Sequence, residues 1–229
     1  MQKEPIYDRI RFNMKNETNA LAGLSHNKGV SGIPAADDDA GLVAQSRKGD
    51  LDAFEMLVTK HQKRMLNISY RLIGDYDEAC EVVQDAFVSA HRNIRAFRGD
   101  SKFTTWLTAI TVNLSKNRLR HLNARRGHVA YSLDDPVETN DGEMAADLPS
   151  KDPSVLDRLE KRDIQRSVQD CIKALDPDFR TVLVLRDLED LSYEEIGHVL
   201  KLHGGTVKSR LFRAREMIKD CLKHVMGER

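Results

Sequence analysis

Apolar positions repeat at helical intervals in two blocks of this chain, separated by a stretch where the pattern is lost. In the first block Phe54, Leu57, Val58, His61, Met65, Ile68 and Leu72 recur three or four residues apart, which predicts a long amphipathic helix. The pattern breaks at Gly74-Asp75. Asp75 stands three residues before Glu78, a carboxylate variant of the capping box, and opens a second helix. The buried face of that helix is expected to hold Ala79, Val82, Val83, Ala86, Phe87, Ala90 and Ile94. After a turn at Arg98-Gly99-Asp100, a third helix places Phe103, Trp106, Leu107, Ile110 and Leu114 on one side. Three amphipathic helices joined by short turns make a compact bundle.

Residues 127–153 are dominated by Asp, Glu, Pro, Gly and Ser and read as a solvated linker. The second block starts near Pro153. Ile164, Val168, Cys171, Ile172 and Leu175 line one helix; Asp176-Pro177 is an N-cap followed by proline at the first helical position. The next helix carries Phe179, Val182, Leu183 and Leu185. Ser192-Tyr193-Glu194-Glu195 is a capping box opening a short helix with Ile196, Val199 and Leu200 inward. Lys201 to Gly205 then form a turn whose two glycines are expected to supply the left-handed backbone. A last helix follows with Val207, Leu211, Ala214 and Ile218 on its inner stripe. The fold class is therefore all-α: two small helical domains joined by a flexible acidic linker, with residues 1–38 an extension expected to be mostly disordered.

Composition agrees with this reading, since aromatic residues make up only 6% of the chain and charged residues 31%. The formal net charge of zero hides an uneven distribution. Residues 40–126 carry 15 basic against 9 acidic side chains, residues 127–157 carry 1 against 8, and residues 158–229 carry 15 against 13. Two basic-leaning blocks flank an acidic connector, which points to an electrostatic partner. The three cysteines, Cys80, Cys171 and Cys221, show no metal-ligand spacing and read as reduced helix-packing residues. With no signal-peptide pattern and no apolar run of membrane-spanning length, a cytoplasmic location is expected.

Residues 191–219 have the layout of a helix-turn-helix, whose second helix lies in the major groove of DNA. The outer face of that helix carries Thr206, Lys208, Ser209, Arg210, Phe212, Arg213 and Arg215. Arginine can grip guanine through paired hydrogen bonds, the hydroxyls and lysine suit phosphates, and Phe212 can meet a thymine methyl.

Two motif sets narrow the reading. Leu191-Ser192-Tyr193-Glu194-Glu195-Ile196, then residues 205–215 (Gly-Thr-Val-Lys-Ser-Arg-Leu-Phe-Arg-Ala-Arg), resembles region 4 of bacterial extracytoplasmic-function sigma factors, closest to the sigma-E type. Asp77-Glu78-Ala79, residues 82–87, Phe97-Arg98-Gly99-Asp100-Ser101 and Thr105-Trp106-Leu107 resemble region 2 of the same group of the sigma-70 family. The resemblance implies region 2 at 39–126, a linker at 127–154 and region 4 at 155–229, with region 4 reading the promoter −35 element. It implies docking on the β′ clamp of core RNA polymerase through Asp77, Glu78, Glu81, Gln84, Asp85 and Phe87, and a second polymerase contact at the β flap. For the −10 element it implies Phe97, Arg98, Ser101, Lys102, Phe103, Trp106, Asn113, Lys116, Asn117 and Arg120. Asn113 and Asn117 share one helix face and offer donor and acceptor to an unstacked base. Lys116, Arg118, Arg120, Arg125 and Arg126 form a basic stripe for phosphates. Trp106 fits either a wedge at the duplex fork or the core, and the core is favoured.

The implied partners are core RNA polymerase, promoter DNA and an anti-sigma protein, which in this group is often membrane-anchored; no small-molecule substrate is implied. Chemistry would belong to the polymerase, so no catalytic residue, metal or cofactor is expected, and a stress-response role follows from the group. A helix-turn-helix regulator that is not a sigma factor would need neither the Asp77–Phe87 helix nor the Asn113/Asn117 face. A nucleic-acid-processing enzyme would need a catalytic cluster that the sequence does not offer.

Overall fold

Asp50 and Asp75 set the starts of the two central helices of the first unit. Asp50 accepts from the amides of Asp52 and Ala53, and Asp75 from that of Glu78. The computed structural model describes residues 39–129 and 155–227, and the described residues form helices and turns, with no strand among them. The extension at 1–38 and most of the expected linker lie outside them. The first unit contains α1 (Ala40–Arg47), α2 (Leu51–Ile73), α3 (Tyr76–Asn93) and α4 (Phe103–Val129), with a single 3₁₀ turn at Ile94–Ala96. The second contains α5 (Val155–Ala174), α6 (Pro177–Leu183), a π turn at Val184–Leu188, α7 (Tyr193–Leu200) and α8 (Gly204–Gly227).

α2 buries the stripe expected of it, with Phe54, Leu57, Val58, Met65, Ile68 and Leu72 all at 3% exposure or less. Gly74 ends it in the left-handed region at φ 82°, where a side chain would be strained. All seven positions expected inside α3 and its following turn, from Ala79 to Ile94, are buried. α4 departs from expectation. Phe103 and Leu107 are fully buried, but Trp106, Ile110 and Leu114 are only half-buried. The closest packing runs instead through small hydroxyl side chains: Thr111 bonds Met65 Sδ, and Ser115 bonds Ser69 Oγ at 3.1 Å. Small residues let α4 approach α2, and a scan for large apolar positions passes over them. α4 also runs through Gly127–Val129, three residues into the expected linker. α1 was not legible because its eight residues bury only Val43 and Ser46.

His61, counted with the apolar stripe, is a buried polar residue. Its Nε2 donates to Asp39 Oδ2 at 2.9 Å, and Lys60 Nζ lies 2.8 Å from the other carboxylate oxygen. Burial holds the His61 pKa below its ordinary 6.5 despite Asp39, and burial does the same for His91.

In the second unit the Asp176-Pro177 start is present, Asp176 accepting from the amide of Asp178. Ile164, expected inward, is exposed at 42%. The capping box is complete: Glu195 N donates to Ser192 Oγ at 3.1 Å and Ser192 N to Glu195 Oε2 at 2.9 Å. The turn corrects the sequence reading. Its left-handed residue is Lys201, at φ 54°, while Gly204 and Gly205 form the first turn of α8 and have no positive φ. The glycine that the turn requires is Gly197. A Cβ there would lie 2.9 Å from Leu202 O, the backbone atom brought close when the chain folds back over α7. The inner stripe of α8 is as expected, with Val207, Leu211 and Ala214 buried at 2% or less. A second correction concerns the cysteines: Cys171 and Cys221 are joined by a disulfide, and only Cys80 is free.

Two predictions follow from these environments. Gly205→Ala, in a helical position with nothing within 4 Å of the new Cβ, should stabilise the protein by about 0.4–1 kcal/mol. Gly197→Ala should instead destabilise it, despite the better helix former; equal melting shifts for the two variants would refute the assignment of the turn glycine. Both histidines bind protons more readily when unfolded, so stability should fall as pH drops below 6.5. Urea midpoints between pH 5 and 7.5 should show this slope, reduced in His61→Asn.

Candidate nucleic-acid interface

α7 and α8 hold the helix-turn-helix rigid through a buried seam of Ile196, Val199, Val207 and Leu211. His203 O accepts from the amides of Thr206 and Val207, which fixes the start of α8. With Val207, Leu211 and Ala214 turned inward, the residues between them face away from the core. Lys208, Ser209, Phe212, Arg213 and Arg215 are exposed, while Thr206 and Arg210 are half-buried. Phe212 leaves 68% of its surface open, a large apolar exposure on an otherwise polar, cationic face. Lys208 lies over the Tyr193 ring, 5.8 Å from its centroid. Ser209 Oγ donates to Thr206 O. Arg215 makes a paired contact with Asp187 at 2.9 and 2.6 Å, so its guanidinium is engaged within the protein.

The loop and α4 residues of the first unit divide into two groups. Phe97, Phe103 and Trp106 form one aromatic cluster, with ring centroids 5.0–6.1 Å apart. Phe97 and Phe103 are buried and Trp106 is half-buried at the edge. In this conformation Phe103 has no open surface, and its visible task is to anchor the loop against α2. Arg98, Lys102, Asn113, Asn117 and Arg120 are exposed, and Ser101 and Lys116 half-buried. Asn113 and Asn117 do share one face. Asn117 Oδ1 accepts from Arg120 Nη2, which orients both side chains.

On α3, Asp77, Glu81 and Asp85 are exposed, Glu78 and Gln84 half-buried, and Phe87 fully buried. Phe87 is thus core packing here and presents no surface to a partner. Arg118 of α4 bonds both Glu78 and Glu81, and these carboxylates raise its pKa above the ordinary arginine value. Sequence patterning placed Arg118 in a free basic stripe. The structure spends its charge on α3, where it locks the angle between α3 and α4. Arg125 is exposed; Arg126 lies outside the residues whose side chains are described.

The two units are packed on each other, an arrangement that no local pattern announced. α7 lies along α4, and α5 and α6 meet the end of α2. Arg64 Nε donates to Glu189 Oε2 at 3.0 Å, Asn67 Nδ2 to Glu189 Oε1 at 2.6 Å, and Arg71 Nη1 to Gln169 Oε1 at 2.7 Å. Burial raises the Glu189 pKa in spite of these donors. Asp178 bridges the two expected DNA-reading surfaces. It accepts from Lys116 Nζ of α4 at 2.9 Å and pairs with Arg210 Nη2 of α8 at 3.0 Å. The Lys116 hydrogen bond leads in holding the Asp178 carboxyl below its ordinary 3.8.

Comparison with known proteins matches each unit to a family segment. Residues 57–126 match Sigma-70 region 2, and residues 165–218 match Sigma-70, region 4. The chain is 41% identical over 194 residues to the RNA polymerase sigma-H factor of Pseudomonas aeruginosa, covering 84% of this chain and 97% of that protein. It is 36% identical over 188 residues to the ECF RNA polymerase sigma-E factor of Haemophilus influenzae, covering 82% and 97%. Among solved structures, the sigma factor RpoE of Bartonella quintana, in complex with the anti-sigma factor NepR, aligns with a TM-score of 0.53 and 24% identity. That match covers 74% of this chain and 96% of the other, and is a likeness of fold. With both segments present in order and full-length relatives above 30% identity, this chain belongs to the extracytoplasmic-function sigma factors of the sigma-70 family.

Proposed function

We propose that this protein binds core RNA polymerase and directs it to a two-part promoter, α8 meeting the −35 duplex and α4 with its preceding loop opening the −10 element. The observation that carries this reading is the coupling, in one chain, of a rigid helix-turn-helix with an open cationic face to a bundle that displays Asn113 and Asn117 together. A helix-turn-helix regulator of another kind leaves the first unit, with its region 2 match, without a purpose. Asp77, Glu81, Gln84 and Asp85 are the proposed docking surface for the β′ clamp, and the second unit meets the β flap. Catalysis stays with the polymerase. We place the protein in the cytoplasm, where its DNA target lies; no helix of the described residues is long and apolar enough to cross a membrane.

An anti-sigma protein is the proposed regulator, because the Bartonella quintana relative is seen with one; its anchoring in the membrane and its link to a stress signal are further parts of the proposal. The acidic residues Asp134, Asp135, Glu138, Asp141 and Glu143, outside the described residues, are proposed to occupy the polymerase's RNA-exit path. Packed as here, Asp178 pairs with one cation from each proposed reading surface, and separation of the two units would release Lys116 while Arg210 keeps Asp178 within its own unit. Besides apolar side chains of a core cluster that runs through both units, the contacts between them include the ion pairs Arg64–Glu189 and Lys116–Asp178, which solvent can replace when the units part.

Run-off transcription with core polymerase and a selected genomic promoter tests the reading. Specific transcripts that need this chain are expected, and failure both to co-purify with core and to support transcription would overturn it. Arg213→Ala should weaken −35 duplex binding by roughly tenfold or more, while Asn113→Ala with Asn117→Ala should leave duplex binding intact and reduce permanganate reactivity in the −10 region. Asp178→Asn should tighten binding of the free chain to promoter duplex by up to about fivefold, the scale of an exposed ion pair. Unchanged affinity would count against the closed arrangement as a brake.

A further inference from the structure

The disulfide between Cys171 and Cys221 lies outside every role assigned above, and its position is set by packing. Val207, Leu211, Ala214, Ile218 and Cys221 are spaced by four, three, four and three residues, so Cys221 continues the inner stripe of α8. Cys171 occupies the matching place on α5, between Val168 and Ile172. The seam between α5 and α8 therefore ends on two facing sulfurs, with Cα atoms 5.9 Å apart, inside the range a disulfide requires. The bond joins residues 50 positions apart. The covalent ring so closed contains α6, α7 and all of α8 from Thr206 to Arg215, the whole face proposed to read the −35 element.

We propose that Cys171 and Cys221 form a reversible thiol–disulfide site whose state sets the stability of the helix-turn-helix unit. Cys221 is half-buried and Cys171 is 2% exposed, so a small oxidant reaches Cys221 first. The oxidant is a low-molecular-weight disulfide. The Cys221 thiolate attacks one of its sulfurs, forming a mixed disulfide and expelling one small thiolate. The Cys171 thiolate then attacks Cys221 Sγ and expels the second. Two electrons leave the protein thiols, and their two protons end on the two released thiols. Reduction by a small dithiol runs the same steps backwards. Cys80 takes no part: it lies on α3 of the first unit, beside the Tyr76 hydroxyl, and burial raises its thiol pKa. In a cytoplasm that keeps thiols reduced, a pair of this kind forms transiently and reports oxidation. The physical effect is on the unfolded chain, whose freedom the closed ring restricts, so the oxidised unit resists local opening of α8.

The test uses the full chain, reduced with dithiothreitol, desalted, and treated with glutathione disulfide. Alkylation under denaturing conditions should count three thiols before treatment and one after, with the remaining label on Cys80 and a Cys171–Cys221 linked peptide by mass spectrometry. The oxidised protein should melt about 5 °C or more above the reduced protein. Cys221→Ser should show no redox-dependent shift, and Cys80→Ser should keep it. Three labelled thiols after excess oxidant, a linkage through Cys80, or identical melting of the two wild-type forms would each overturn the proposal. A functional arm, which rests on the promoter-reading proposal, compares −35 duplex binding after a heat challenge between the two melting points. The oxidised form should retain binding that the reduced form loses. Absence of duplex binding by both forms before heating would fail the promoter reading alone, since thiol counting and melting do not depend on it.

Discussion

The guanidinium of Arg180 holds the two halves of this molecule to a common frame. It donates to Leu72 O at the end of α2, at 2.6 Å, and to Lys173 O and Leu175 O at the end of α5. These are carbonyls that the last turns of two helices leave without partners. One buried cation therefore caps a helix in each unit and fixes the distance between them. Burial depresses its pKa, yet an arginine remains charged at any physiological pH, so the tie is permanent in charge and breakable only by separation. Around it, Glu189 with Arg64 and Asn67, and Gln169 with Arg71, complete a set of polar contacts that an apolar core would not need.

This frame sets two proposed DNA-reading surfaces, on different helices, side by side. Lys116 and Arg210 lie 94 residues apart in sequence and meet one carboxylate. Parting the units would release Lys116 from Asp178, while Arg210 meets Asp178 within the second unit and keeps that partner. The same logic separates rigid parts from adjustable ones. Arg118 with Glu78 and Glu81, and the aromatic cluster around Phe103, fix geometry inside the bundle. Lys116 with Asp178, and Lys102 at 3.7 Å from Glu195, pair across the units and are exchangeable, whereas Arg210 meets Asp178 inside the second unit. The disulfide belongs to the rigid set, within the second unit, on the helix that also carries Gln169 to Arg71 and the Lys173 side chain over Gly74 of the first.

Local signals decided much of this protein. The period of Phe54 to Leu72, the caps at Asp75, Asp176 and Ser192, and the stripe from Val207 to Ile218 are short-range features; each depends on residues within a few positions, so the sequence displays them directly. The motif sets of the two units were legible for the same reason. What the sequence could not reveal depends on partners far along the chain. Ser69, Thr111 and Ser115 pack because two helices cross there; Arg118 is neutralised by residues 40 and 37 positions away; Cys171 finds Cys221 only after α5 and α8 align. The turn shows both sides within one segment. Its place between α7 and α8 is set by sequence, but which glycine it needs is decided by Leu202 O folding back over Gly197, a contact that exists only in three dimensions.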